Sequence, residues 1–423
     1  MLKFPYGFSD FHIIRTENYF YVDRTSHIPL IETAGHQLLF LRPRRFGKSL
    51  LLSMLENYYD VAKADEFEKL FGDLTIGKNP TPKHNQYLVM KWDFSVINIK
   101  GIEDISHSIY NHINNSIEAF VDSYQHLWQY QVKINPKDAI SSFQSALIAV
   151  RQTPYRLYLL IDEYDNFANE VMMGKGEINP ERYKTLISAE GSLKALFKTV
   201  KSASSGQGLE RVFITGTSPI LLSDMTTAYN VAENIYFKPE FNDLCGFKEA
   251  ELEAVLKKVV AECELKPEYE KEALIVMQAF YNAYSFSEMS NELMYNPTLA
   301  LYFLKHLQQY CEFPSQMLDE NLTMAQAYFK VFDNRDYKDA NELTIKTAFL
   351  TVLFNDVWYM MDSETPAARR YTDLTMLVRP DFRHTRLLNY RTSLESKYDK
   401  VFKLELISVV AVGFDRLVWK KVV

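Results

Sequence analysis

Residues 42–49, Arg-Pro-Arg-Arg-Phe-Gly-Lys-Ser, bring together the residue types needed to hold a phosphate chain. Gly47 can make a tight turn, Lys48 can reach β- and γ-phosphate oxygens, and the Ser49 hydroxyl can ligate Mg²⁺. Backbone N–H groups at a helix start wrap a phosphate, and the helix dipole favours its negative charge. Arg44, Arg45, Phe46 and Leu50 complete the expected ATP-binding stretch. The general P-loop pattern begins with glycine, and here that position is Arg42. The competing reading is a basic turn that happens to contain Gly-Lys-Ser, and it is weighed by the flanking elements and the downstream motifs.

Two further motifs come in the chain order that phosphate chemistry needs. Leu157-Tyr158-Leu159-Leu160-Ile161 is a continuous apolar run, suited to a parallel strand covered on both faces, and it ends in Asp162-Glu163. Acids at a strand's C-terminal end stand where open α/β sheets bind ligands. Asp162 is the candidate to hold Mg²⁺ through water, and Glu163 to polarise the attacking water. A solvated strand end is the bland alternative. Arg211-Val212-Phe213-Ile214-Thr215-Gly216-Thr217-Ser218 is a third apolar run ending in hydroxyls. Thr217 is the first candidate to sense a γ-phosphate and Thr215 the next, although threonines also simply suit strand ends and turns.

These groups must be positioned by alternating strands and helices. Leu38–Leu41 reads as the strand before the phosphate loop and Leu50–Glu56 as the helix after it. Residues 19–34 read as a short strand or turn followed by a helix capped by Asp23 or Thr25. Residues 87–94 read as a strand whose Asp93 caps the next turn or sits near the nucleotide. Residues 102–152 read as two helices, with Ile105, Ile109, Ile113 and Ile117 on one core face. Residues 166–208, polar and glycine-containing, are expected to form mobile loops around the nucleotide, with Lys194, Lys198 and Lys201 on a solvated helical face. The fold class is therefore α/β: a P-loop NTPase parallel sheet with helices on both faces over 1–240. A helical lid is expected over 241–330, with helices at 249–262, 271–283 and 299–307. A partial α/β nuclease-like region is expected over 331–423. There an apolar helix spans 343–357 and a strand 371–378. Asp373, with Glu395-x-Lys397 beyond it, matches at loose spacing the metal sites of nucleases, where carboxylates bind Mg²⁺ and lysine eases formation of hydroxide.

The bulk numbers bound the rest. In a chain of 423 residues with 47% hydrophobic content a large core is expected, in two or three domains. The net charge of −7 gives no global basic field, so any nucleic-acid contact must come from a local patch. Cys245, Cys263 and Cys311 are few and scattered, which argues for a reducing compartment and no structural disulfide. No signal-peptide apolar region and no run near the ~18 apolar residues of a membrane helix is present, so a soluble cytoplasmic protein without membrane contact is expected.

Taken together, several motifs resemble those of the bacterial AAA-ATPase-like family that carries a PD-(D/E)XK nuclease-like region at its C-terminus. They are Pro5-Tyr6-Gly7 with Ser9-Asp10-Phe11, residues 21–25 and 42–49, Ile161-Asp162-Glu163-Tyr164-Asp165, residues 214–219 and Tyr295-Asn296-Pro297. Arg42 in place of the first glycine is usual in that family. The resemblance implies binding of ATP with Mg²⁺, hydrolysis, and a helical lid in which Pro297 packs near adenine; as an alternative, Asn296-Pro297 is an ordinary helix start. The C-terminal part departs from the family pattern. Residues 389–393 before Glu395 are polar, and residues 398–423 are too few for the remaining sheet, so an incomplete nuclease-like region is expected. Two rival functions stay open: a nucleotide switch with little turnover, and a DNA-acting nuclease using Asp373, Glu395 and Lys397. No arginine finger stands out, Arg211 reading as a structural surface residue, which fits either a switch or a homo-oligomer that supplies a finger in trans.

Overall fold

The computed structural model describes residues 2–96, 105–166, 180–217, 231–284, 286 and 292–312, and six short strands between 359 and 421. It divides into two compact units. The first takes the described residues up to Lys248 together with Phe286 and Glu292, and the second takes the described residues of Glu249–Tyr284 and those from Leu293 on.

The first unit is built on five parallel strands: β1 (Gln37–Leu41), β2 (Tyr87–Asp93), β3 (Arg156–Asp162), β4 (Leu209–Gly216) and β5 (Glu233–Asn234), in the order β2-β3-β4-β1-β5. The central strands β1, β3 and β4 are buried almost throughout, as continuous Leu/Ile/Phe runs require when both faces are covered. Because side chains alternate along a strand, Leu157, Leu159 and Ile161 join one core with Ile109, Ile113 and Ile117, while Tyr158 packs on Tyr59 from the other side, ring centroids 5.0 Å apart.

The α-helices of this unit among the described residues, in chain order, are α1 (Phe11–Thr16), α2 (Ile28–Ala34), α3 (Lys48–Tyr59), α4 (Phe67–Phe71), α5 (Thr75–Lys78), α6 (Ile105–Ser123), α7 (Ala139–Arg151) and α8 (Pro180–Ala203). Helices α6, α7 and α8 share the core that holds Ile161, whereas Tyr59, the residue that meets Tyr158, belongs to α3. The expectation of loops over 166–208 is corrected where the structure describes it: 180–203 is one long helix. Its polar composition hides Leu193, Leu196, Phe197, Val200 and Ala203, which recur at helical spacing and are buried. Arg211 is also corrected: it is 1% exposed, and its guanidinium donates to the carbonyls of Gly35 and Glu32.

In the second unit α9 (Glu249–Glu262), α10 (Glu268–Tyr281) and α11 (Pro297–Tyr310) pack through Leu252, Leu256, Met277, Ala300, Phe303 and Leu307. Between them β6 (Asn282–Tyr284) pairs antiparallel with β7 (Met294–Tyr295). Cys263 and Cys311 pair as a disulfide, Cα–Cα 5.6 Å, which overturns the expectation of unpaired cysteines. Their separation of 48 residues hid a proximity that the packing of α9 against α11 creates. Farther on, Tyr359–Asp362 pairs with Thr375–Val378, and Thr365–Ala367 with Arg370–Thr372. The strand expected over 371–378 is therefore two strands, each with a different partner. Asp373, Glu395, Lys397 and the helix expected over 343–357 lie outside the described residues.

Candidate functional site

The C-terminal ends of β1, β3 and β4 carry the residues that the sequence singles out. The chain leaves β1 at Leu41, turns through residues 42–47 and enters α3 at Lys48. Gly47 makes the turn in the left-handed region at φ 93°. That conformation strains any residue with a Cβ, and among the described residues no atom beyond the chain neighbours of Gly47 lies within 4 Å of where a Cβ would stand. The loop is thus open on that side, at the start of a 12-residue helix whose N-cap offers no side-chain hydrogen bond. Its first-turn N–H groups suit the reception of an anion.

Lys48 is 4% exposed, and its Nζ donates to the carbonyls of Arg42 at 2.9 Å and Pro43 at 3.1 Å. Burial lowers the Lys48 pKa, opposed by the carboxylates of Glu163, Asp162 and Asp165. Arg44 and Arg45 are exposed, and Arg44 Nη2 donates to Asn166 Oδ1 at 3.1 Å. Phe46 is fully buried, edge-on to Phe286. Ser49 and Leu50 are half-buried in the first turn of α3.

Across the sheet edge, Asp162 ends β3 and is 2% exposed. The Thr215 hydroxyl donates to Asp162 Oδ1 at 2.5 Å. Glu163 comes next in a left-handed conformation, φ 47°, uncommon for a non-glycine residue and the kind of strain that collects at functional sites. Burial raises the Glu163 pKa, against the pull of Lys48. The turn after it is braced from β4: Tyr164 N donates to Thr215 O, and Thr217 N donates to both carboxylate oxygens of Asp165. Gly216 makes this possible, because a Cβ there would lie 2.4 Å from Tyr164 Cε1 and 2.8 Å from Asp165 Oδ1. Asp93 pairs in register with Asp162 and accepts from Ser95, so it both caps its turn and stands beside the acid strand.

The loop lysine and the two acids are therefore brought to one sheet edge, and it is Thr215 whose hydroxyl touches Asp162, whereas Thr217 meets Asp165 through its backbone N–H. Sequence reasoning gave no role to Asp165, which a turn of three residues carries back toward β4, nor to Arg42 beyond its departure from the pattern. Pro297 belongs to the second unit, where it opens α11, and Asn296 caps that helix by accepting from the N–H groups of Thr298 and Leu299. Among the described residues no group of three or more His, Cys, Asp or Glu could hold a metal by itself. Magnesium in nucleotide sites is bound through one or two carboxylates, waters and substrate phosphates, so a hydroxyl (Ser49) and the buried carboxylate of Asp162 fit Mg²⁺ brought with a nucleotide. No helix among the described residues is long and apolar enough to cross a membrane.

Among solved structures, the Walker-type ATPase PABY2304 of Pyrococcus abyssi is 14% identical, covering 85% of this chain and 94% of its own, with a TM-score of 0.42. The fold rests on the sheet described above and not on that likeness. A protein of Azotobacter chroococcum mcd 1, described as an uncharacterized protein in the vnfD 5' region, is 24% identical over 307 residues, 72% of this chain and 52% of that protein. The chain thus spans about half the length of that curated relative. The model of the AAA-ATPase-like family, described as Predicted AAA-ATPase, matches residues 5–226, more than half of the chain and the whole of the loop, the acid strand and β4. This chain belongs to the AAA-ATPase-like family.

Proposed function

We propose that the protein binds ATP with Mg²⁺ at residues 42–49 and hydrolyses it. The observation that carries this reading is the convergence of an open left-handed glycine turn, a buried lysine and a buried carboxylate on one sheet edge. Lys48 binds the β- and γ-phosphates, helped by the N–H groups of residues 44–50. Ser49 and, through water, Asp162 would hold Mg²⁺, which would supply neutralisation of charge on the phosphate oxygens. Thr215 orients Asp162 through the hydroxyl bond at 2.5 Å. Glu163, with its pKa raised by burial, takes the proton of the attacking water. Thr217, on the β4 edge beside Asp165, senses the γ-phosphate.

Hydrolysis is read as driving the helices of 241–330, as a lid, and an effector region in 331–423. Asp373, Glu395 and Lys397 as a nuclease site remain a family-based reading. Arg211 is buried at the opposite end of β4, held by the carbonyls of Gly35 and Glu32. Arg211 is therefore no finger, and a finger supplied by a second copy would speed turnover that is otherwise slow enough for a switch. Phosphate release by wild type and by Glu163→Gln separates these readings. Wild type is expected to release phosphate and the variant to bind ATP without turnover; equal rates in the two would remove Glu163 from its role.

A further inference from the structure

Arg42 stands where other phosphate loops have glycine, yet its side chain is 1% exposed, and among the described residues its hydrogen bonds go to carbonyls rather than to a carboxylate. A buried cation without an acid partner is costly unless its donors are otherwise met. Here Nη1 donates to the carbonyls of Leu41 and Tyr236, both at 2.9 Å, and Nη2 to that of Phe241 at 2.7 Å, while the buried Nε has no partner among the described residues. The guanidinium also lies 4.4 Å from the ring of Phe40 and 3.8 Å from that of Phe286. The backbone of the same residue is equally occupied: its N–H donates to Gly216 O at 3.1 Å, and its carbonyl accepts from Lys48. Arg42 thus joins the lysine of the phosphate loop, the end of β4 and the 236–241 segment.

That segment is fastened farther along as well. Asn242 accepts from Phe286 N and donates to Glu292 O. His27 contacts Asp243 at 2.9 Å, and Arg24 donates to Gly246 O. The chain then enters α9 at Glu249.

We propose that Arg42 is a positioning residue that couples the phosphate loop to the 236–248 segment. Its guanidinium fixes the carbonyl that orients Lys48, so a bound triphosphate and the clamp on Tyr236 and Phe241 stabilise each other. This rests on the ATP reading above. By reciprocity, what the clamp does for ATP affinity, ATP does for the clamp. Couplings between sites are typically ~5-fold to ~150-fold.

The test is amide hydrogen exchange on the full chain with and without ATP·Mg²⁺, with calorimetry on the same sample. The amides of Phe241, Asn242 and Leu244 each donate within the segment and report on it directly. The proposal expects ATP to slow their exchange at least ~5-fold. It also expects Arg42→Met to weaken ATP binding at least ~5-fold and to abolish the ATP-dependent protection, with Arg42→Lys intermediate because an ammonium cannot reach all three carbonyls. The wild-type comparison needs no variant to fold. ATP binding by wild type with unchanged exchange at 241–244 overturns this proposal alone. A folded Arg42→Met with wild-type ATP affinity and protection also overturns it. No ATP binding by wild type overturns both this and the function it rests on.

Discussion

Thr215→Val probes the least exposed contact of the proposed site. The Thr215 side chain is fully buried and its hydroxyl gives a short bond to a carboxylate that is itself 2% exposed. Valine keeps the shape, so little cavity forms, but Asp162 loses a donor it cannot replace with water. A hydrogen bond to a charged group contributes about 1.5–3 kcal/mol, and leaving the buried acceptor unmet costs in the same range. For a unit of this size each kcal/mol moves the melting temperature by roughly 2–4 °C, so a fall of about 3–12 °C is expected in the absence of ligand. If Asp162 also loses its orientation toward Mg²⁺, the same energy appears in ATP·Mg²⁺ affinity as a loss of at least about tenfold. Thermal unfolding and calorimetry read the two effects separately, and Thr215→Ser restores both. A Thr215→Val protein that melts and binds ATP·Mg²⁺ as wild type does would refute the argument that this bond positions Asp162.

Gly216→Ala forces a Cβ against Tyr164 and Asp165, and overpacking of this kind costs about 1–3 kcal/mol; differential scanning fluorimetry should show a lower melting point, and phosphate release should fall with it. For Glu163, burial raises the folded pKa above the unfolded value of about 4.3. Its contribution to stability is therefore present below the unfolded pKa and is lost as pH rises through the folded one, while the ionised base that turnover needs appears over the same rise. The acid limb of the pH–rate profile should accordingly lie above the ordinary glutamate value and vanish in Glu163→Gln, and a limb at the ordinary value would count against Glu163 as the base. If the finger comes from a second copy, specific turnover rises with protein concentration; constant specific turnover across a wide dilution series would exclude that source.

Much of the site was readable from residue types and order. Leu38–Leu41 and Leu157–Ile161 announce buried parallel strands because every position is apolar, and Gly47-Lys48-Ser49 announces a turn into a helix. Long-range geometry was not readable in the same way. That Thr215 rather than Thr217 gives its hydroxyl to Asp162 depends on β4 lying next to β3 and on their register, which pairs Ile161 with Ile214, and no local pattern states either. The helix at 180–203 was masked by charged residues around a narrow apolar stripe, so tertiary burial outweighed composition. Arg211 reads as a surface cation and Arg42 only as a departure from the loop pattern, yet both are buried, with backbone carbonyls from distant segments accepting from their guanidinium groups. The meeting of Cys263 with Cys311 likewise arises from helix packing across 48 residues.

Calorimetric titration of ATP·Mg²⁺ into wild type and Lys48→Ala bears most directly on the central claim. The buried ammonium of Lys48, at the start of α3 beside an open glycine turn, is the group that the bound phosphates require. Binding by wild type that is lost in a folded Lys48→Ala protein is the expected result. ATP binding of equal affinity in the two, or none in wild type, would contradict the assignment of residues 42–49 as the nucleotide site.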